Sequence, residues 1–375
     1  MKVTFPIIII LSFLVPFQLN AQHKSWMITG FKKQDSVNPC LYPAPTIFLD
    51  PVLHKNVRWE EKDVFNPAAV VKDGKVYLLY RAQDKIGKPA GTSRIGLAMS
   101  SDGLYFRRLP NPVLYPDSAG PYHKYEWEGG CEDPRIVEDE NGTYYMTYTA
   151  YDGTTARLFI AASKDLIHWA KHGSVFKNAE NGKYIDYWSK SGSIICKREG
   201  EKMIATKING KYWMYWGESN IYMATSENLI DWTPIQETDP SKKQYDSLRH
   251  YEAFKILFSP RDGKFDSELV EPGPPAMLTE HGILFIYNSK NSPTKGDTSL
   301  PKGVYAAGQI LMDKNNPMKV IDRCDNNFFK PEKKYEITGQ VNNVCFLEGL
   351  VYFKDNWFLY YGTADSQIAV AEIAR

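Results

Sequence analysis

The chain has almost no net charge: 45 Lys+Arg against 44 Asp+Glu leave +1 in 375 residues. A balance this even gives no electrostatic footprint for nucleic acid or for an acidic membrane surface. Cysteine is scarce too. Cys40, Cys131, Cys196, Cys324 and Cys345 are too few for a disulfide framework in a chain of this length, and their odd number leaves at least one unpaired. None belongs to a Cys-x-x-Cys pair, and no ligand cluster replaces one, so no metal and no cofactor are expected. His168 and His172 are four apart, but Asp165-Leu-Ile-His-Trp-Ala-Lys-His172 reads as a strand end and turn.

Long apolar runs are missing after residue 17. The one present, Phe5–Phe17 (FPIIIILSFLVPF), follows Lys2 and precedes Leu19-Asn20-Ala21, the layout of a secretory signal. It falls short of the roughly 20 residues of a membrane span, and Pro6 and Pro16 interrupt it. Residues 1–21 are read as a cleaved signal peptide and 22–375 as one mature domain, secreted or periplasmic, soluble and not inserted in the membrane. Helical periodicity is likewise absent beyond a turn or two, and no Pro/Gly linker splits the chain.

Aromatic side chains, by contrast, make up 14% of the residues, with 24 Tyr and 9 Trp. Such residues favour strands and stack on sugar rings or bases, and the neutral charge balance favours sugar. They sit within an internal repeat. Ile95-Gly-Leu-Ala-Met-Ser, Phe159-Ile-Ala-Ala-Ser and Tyr222-Met-Ala-Thr-Ser are versions of one phrase, with Ala98, Ala161 and Ala224 spaced 63 residues apart. Tyr305-Ala-Ala-Gly-Gln-Ile and Ile368-Ala-Val-Ala are fainter copies. A strand led by a tight turn precedes each phrase, as in Asp73-Gly-Lys-Val-Tyr, Asn141-Gly-Thr-Tyr-Tyr and Asn209-Gly-Lys-Tyr-Trp. Asn-Gly and Asp-Gly are hairpin signals. Five units of several short strands predict an all-β fold, a five-bladed β-propeller. Two stacked sandwich domains are the competing reading, but they do not explain a hairpin and phrase that return five times.

In a propeller, the loops at the starts of the inner strands converge on the central channel. The densest cluster of acids, Glu126-Trp-Glu-Gly-Gly-Cys-Glu-Asp-Pro-Arg135, leads into a strand. Pro134 keeps Asp133 out of helical geometry, Arg135 can fix a carboxylate or bind substrate, and the two glycines allow a close backbone approach. Glu271, beside Pro-Gly-Pro-Pro, and Glu218, in Tyr-Trp-Gly-Glu218, stand at similar places. Asn66, Arg81 and Asp365 also fall at inner-rim positions by the repeat. Paired carboxylates with aromatic platforms point to glycoside hydrolysis.

Phe65-Asn-Pro-Ala, Tyr80-Arg-Ala, Glu132-Asp-Pro-Arg135, Thr147-Tyr-Thr-Ala-Tyr151 and the Ala-x-Ser-x-Asp-Leu-Ile-x-Trp phrases resemble glycoside hydrolase family 130, the β-mannoside phosphorylases and β-mannosidases. The resemblance runs through nearly the whole mature chain and implies a five-bladed propeller. It also makes Asp133 the inverting catalytic acid, which protonates the leaving oxygen through a sugar hydroxyl. Family phosphorylases hold phosphate with an Arg, a Lys and a His. Here the matching stretches read Trp216-Gly217-Glu218, Leu269 with Glu271 beyond it, and Asn288. Cationic or donor positions become apolar or neutral, and two acids enter. A phosphate dianion would be repelled there, whereas a water needs such a carboxylate to deprotonate it.

The expectation is therefore an exported, inverting exo-β-mannosidase acting on β-1,2-linked mannosides. Asp133 is the acid and Glu218 or Glu271 the base. Asn66, Arg81, Arg135 and Asp365 grip the terminal mannose, with Tyr148, Tyr151 and Trp216 as stacking surfaces and Asn288 at the altered donor position. The alternatives are a mannoside phosphorylase that uses other cations, such as Lys190, and a sugar-binding propeller without catalysis. The partner is a β-mannoside oligosaccharide or glycan; an oligomer stays open, as relatives often associate.

Overall fold

The structure, a computed structural model, describes residues 24–243 and 254–373. The signal peptide expected over residues 1–21 lies outside them. The regular structure of the described chain is nearly all strand, and its two α-helices, His123–Glu126 and Lys334–Ile337, span four residues each. None of its helices is long and apolar enough to cross a membrane.

Apart from the hairpins Ile47–Asp50/Lys55–Arg58 and Cys196–Glu199/Lys202–Ala205, the strands pair into five antiparallel runs that follow one another along the chain. The first joins Asp63–Lys72, Lys75–Gln83, Ser93–Ser100 and Arg107–Arg108. The second joins Gly130–Glu138, Tyr144–Tyr151, Ala156–Ser163 and Ala170–Ser174. Ser193–Ile194, Tyr212–Trp216, Tyr222–Ser226 and Trp232–Pro234 make the third. In the fourth, Leu269–Pro272 and Met277–Leu278 both pair with Ile283–Lys290, followed by Tyr305–Met312 and Val320–Arg323. The fifth holds Cys345–Phe353, Asn356–Thr363 and Gln367–Ile373. Its outermost strand is Lys32–Lys33, from the other end of the chain, with Lys32 opposite Glu372. This arrangement is all-β and propeller-like.

Local chemistry explains the hairpins. Asp73 and Gly74 both have positive φ, as do Asn209 and Gly210, the geometry of a two-residue hairpin turn. Lys354-Asp355 make the same turn without glycine, at φ 48 and 64. Between runs the strands are apolar on both faces. Five clusters of buried side chains result, each drawn chiefly from two neighbouring runs. Leu79 and Leu97 meet Ile136 and Phe159, for example, while Val351 and Phe358 of the fifth run meet Val64 and Leu78 of the first.

One device recurs inside these clusters. Tyr80, Tyr148, Trp216, Tyr287 and Tyr361 occupy equivalent registers, opposite Gly96, Phe159, Tyr222, Gly308 and Ala369. Each of the four tyrosines donates its hydroxyl to a buried acid: Tyr80 to Glu60 (2.8 Å), Tyr148 to Glu126 (2.9 Å), Tyr287 to Asp266 (2.8 Å) and Tyr361 to Glu336 (2.8 Å). A cation from the outermost strand of the same run completes each set: Arg108, Lys171, Arg323 and Lys33. The sets tie the innermost loop to the outermost strand. In the third run Trp216 replaces the tyrosine and packs among Phe176, Tyr222 and Phe254.

Candidate active site

The first strand of each run is the innermost, and three of these strands are bulged where the polar residues lie. Register slips between Phe65 and Pro67, between Glu132 and Arg135, and between Leu347 and Gly349. Asn66 and Asp133 sit in two of the bulges with φ 48 each, a left-handed conformation that Asn and Asp accept more readily than most residues. A bulge turns one side chain out of the strand's alternation, so a polar group faces the centre while its neighbours stay in the core.

Asp133 is 4% exposed. Its Oδ1 accepts from Asn66 Nδ2 at 2.9 Å and from Arg81 Nη1 at 3.1 Å, and its Oδ2 lies 3.8 Å from Lys190 Nζ. Arg81 also donates through Nη2 to Glu132 Oε1 at 2.6 Å and through Nε to Ser93 Oγ at 3.0 Å. Burial pushes the Asp133 carboxyl up, but Arg81, Lys190 and Asn66 outweigh it and hold the group well below the ordinary carboxylate range. Glu132 shares Arg81 at the shorter distance yet lacks the Asn66 bond, and burial leaves it raised.

Glu271 is also buried and accepts a hydrogen bond from Ser191 Oγ. Lys190 Nζ stands 4.0 Å from its Oε1, so one ammonium bridges Asp133 and Glu271. That bounds the separation of their nearer oxygens at about 8 Å, below the top of the roughly 6.5–9.5 Å range of an inverting carboxyl pair. Burial, helped by the neighbouring Glu218, raises Glu271 against the opposing pull of Lys190. Glu218 accepts from Trp188 Nε1 at 2.9 Å. Asp365, in the turn after Asn356–Thr363, is raised to about 7 by burial despite Arg81. The carboxyls hold Lys190 protonated against its own burial, with Glu271, Glu218, Asp133 and Glu132 all favouring the charge.

Asn66, Arg81, Asp133, Lys190, Glu218, Glu271 and Asp365 thus form one group, and Tyr151 lies half-buried at its edge. Four expected residues lie elsewhere. Tyr148 and Trp216 are fully buried, so neither can stack on a sugar; they are two copies of the repeated core position. Arg135, 2% exposed, does not reach a substrate either. It donates to the carbonyls of Pro272 (2.6 Å), Gly273 (3.0 Å) and Asp133 (3.2 Å), beneath the site. Asn288 is fully buried, with its amide bonded to the Leu347 carbonyl (3.0 Å) and N–H (2.8 Å). Gly129 and Gly130 serve packing: an added Cβ would lie 2.2 Å from the Tyr151 ring and 2.1 Å from Ser93 O respectively.

Ser191, Glu348, Trp188 and Tyr305 join the group without having been expected there. Trp188 and Tyr305 are half-buried, and Tyr305 sits within electrostatic reach of Glu271, Asp365 and Glu218. Glu348 was legible in principle, since its bulge repeats the place of Asn66 and Asp133.

The family model described as beta-1,4-mannooligosaccharide phosphorylase matches residues 32–375. The chain belongs to glycoside hydrolase family 130. A 1,2-beta-oligomannan phosphorylase of Thermoanaerobacter sp. (strain X514) is 32% identical over 322 residues, covering 84% of this chain and 90% of its own. A glycosyl hydrolase structure from Bacteroides ovatus is similar at 45% identity and a TM-score of 0.87, over 93% of this chain and 95% of its own. A family 130 structure at 46% identity and a TM-score of 0.88 covers the same shares. It is described by the statement that the family's mannoside phosphorylases contain glycoside hydrolases that target β-1,2 mannosidic linkages in Candida mannan.

Proposed function

We propose that this family 130 member is an exported, inverting exo-β-mannosidase that hydrolyses β-1,2-linked mannosides on a five-bladed propeller. Five strand runs and five shared apolar clusters support the blade count. The observation that carries hydrolysis is the charge at the centre. Arg81 and Lys190, the cations among the grouped residues, already face Glu132 and Asp133, and Asp133 and Glu271. A phosphate dianion entering there would add to a surplus of carboxyls.

The mechanism runs on these residues. Seating a neutral sugar excludes the remaining water from Asp133 and favours its taking up a proton from solvent against the pull of Arg81 and Lys190. Asp133 then passes its proton through a sugar hydroxyl to the glycosidic oxygen as the bond from C1 to that oxygen breaks. Water attacks C1 from the opposite face and yields its proton to Glu271, which suits the task because burial raises its affinity for protons. The products are mannose, inverted at C1, and the shortened glycan. Arg81 and Asn66 aim Asp133, Asp365 grips the terminal mannose, and Tyr151, Trp188 and Tyr305 offer rim surfaces for the sugar.

A phosphorylase is the second reading, favoured by Lys190 between the carboxyls and by the names of the relatives from Thermoanaerobacter. Incubation with β-1,2-mannobiose, with and without phosphate, separates the two. Equal release of free mannose in both is expected. Mannose 1-phosphate formed only with phosphate would overturn the hydrolase reading.

A further inference from the structure

Glu348 is a carboxyl at the centre that the mechanism above does not use. It is fully buried in the bulge of Cys345–Phe353, and neither of its oxygens has a hydrogen-bond partner among the described residues. Arg135 Nη2 stands 3.0 Å from Glu348 Oε1, outside hydrogen-bond alignment. The backbone around Glu348 is fixed from two sides. Asn288 grips both the N–H and the carbonyl of Leu347, and Gly349 is pressed so closely on the first run that a Cβ would lie 2.8 Å from Pro67 O.

Arg135 in turn holds the Asp133 carbonyl and the carbonyls of Pro272 and Gly273, the two residues after Glu271. One guanidinium thus spans the strands of the proposed acid and the proposed base, and Glu348 backs it. We infer that Glu348 is a positioning residue that stays uncharged and, through Arg135, sets the spacing of Asp133 and Glu271.

Charge balance supports the uncharged form. Arg81, Arg135 and Lys190 are the cations of the centre, against Glu132, Asp133, Glu218, Glu271, Glu348 and Asp365. The charged groups that bear on Glu348 are Arg135 and Lys190, which favour ionisation, and Asp133 and Glu271, which oppose it together with complete burial. Burial dominates and moves the carboxyl well above its ordinary range. Ionised, Glu348 would draw Arg135 out of its carbonyl contacts. Neutral, it fills the space behind the guanidinium and leaves those three bonds intact.

The inference rests on cleavage by Asp133 and Glu271, and its test is arranged to fail separately. Glu348→Ala should lower kcat by about 100-fold, the scale of a misplacement of roughly 1 Å at the reacting centre, with KM moving far less. Glu348→Gln, neutral and of the same shape, should recover most of that loss. The alkaline limb of its kcat/KM profile should move to higher pH, because the amide cannot ionise. An unmoved alkaline limb, or a Glu348→Gln variant as damaged as Glu348→Ala, would overturn the inference. If Glu348→Ala does not fold, Arg135→Lys, which cannot bridge three carbonyls, should show the same loss in kcat. An infrared difference spectrum without substrate gives an independent readout: a protonated-carboxyl band in the wild type that Glu348→Gln lacks. Absence of that band sinks the inference and leaves cleavage standing. A wild type that carries the band but cleaves no mannoside sinks the functional reading instead.

Discussion

Arg81→Ala would expose how the centre tolerates two consecutive buried acids. Arg81 donates to Glu132 at 2.6 Å and to Asp133 at 3.1 Å, and both carboxyls are under a tenth exposed. Removing one partner of a buried ion pair costs about 3–5 kcal/mol, because the remaining charge stays buried. For a chain of this size that is a fall in Tm of roughly 4–7 °C. The cost depends on pH, and its sign follows from Asp133. In the wild type its carboxyl is held low, so its contribution is present above the unfolded value of about 3.9 and fades as pH falls through the folded value. Without Arg81 the balance tips to burial, and the folded value rises above the unfolded one. Asp133 then stabilises only at low pH and loses that contribution as pH rises through its new value. Glu132, already raised by burial, moves the same way. The gap between variant and wild type should therefore be largest at neutral pH and shrink towards pH ~4. Urea denaturation of both proteins across that range measures it. A gap that is constant with pH, or below about 1 kcal/mol at neutrality, would refute the claim that the Arg81 charge holds Asp133 ionised.

Glu271→Gln should lower kcat by about 10²–10⁴-fold as the loss of a general base, and Glu218→Gln should cost less, since Glu271 is the more deeply buried of the two. Steady-state kinetics on β-1,2-mannobiose decides between them, and the reverse order would transfer the base to Glu218. Tyr148→Phe should cost about 1–3 kcal/mol of stability by leaving one oxygen of buried Glu126 without its donor, with KM unchanged. A changed KM would return Tyr148 to the substrate.

Much of the fold was legible because the hairpin turns and the alanine phrase are local signals that repeat. Asp73-Gly74 specifies its turn whatever surrounds it, and Ala98, Ala161 and Ala224 mark the same strand in three runs. The inner-rim assignment of Asn66, Arg81 and Asp365 followed from that repeat. The errors have a common origin. Arg135 and Trp216 stand two residues from Asp133 and Glu218, across a bulge and a turn that reset the alternation of faces, and Tyr148 stands three from Tyr151, on the other face of its strand. No propensity distinguishes a tyrosine donating to Glu126 inside the core from one at the rim. The bulges that decide which side chain turns inward are equally silent in the sequence, since they arise from how adjacent runs pack.

The seam of the fifth run bears on the order of assembly. Lys32–Lys33 pairs beside Gln367–Ile373, and Lys33 also supplies the cation for Glu336 and Tyr361. A chain emerging from the ribosome offers its early strand long before the partner some 340 residues later exists. The first four runs can pair as they appear, but the fifth must wait until synthesis is almost complete. Its inner strand carries Glu348, so the centre is also finished late. Joining ends so far apart adds little free energy, because closure entropy grows only logarithmically with length. The delay instead leaves an open flank on the nascent chain, with the inner faces of the first and fourth runs uncovered until the last strands arrive.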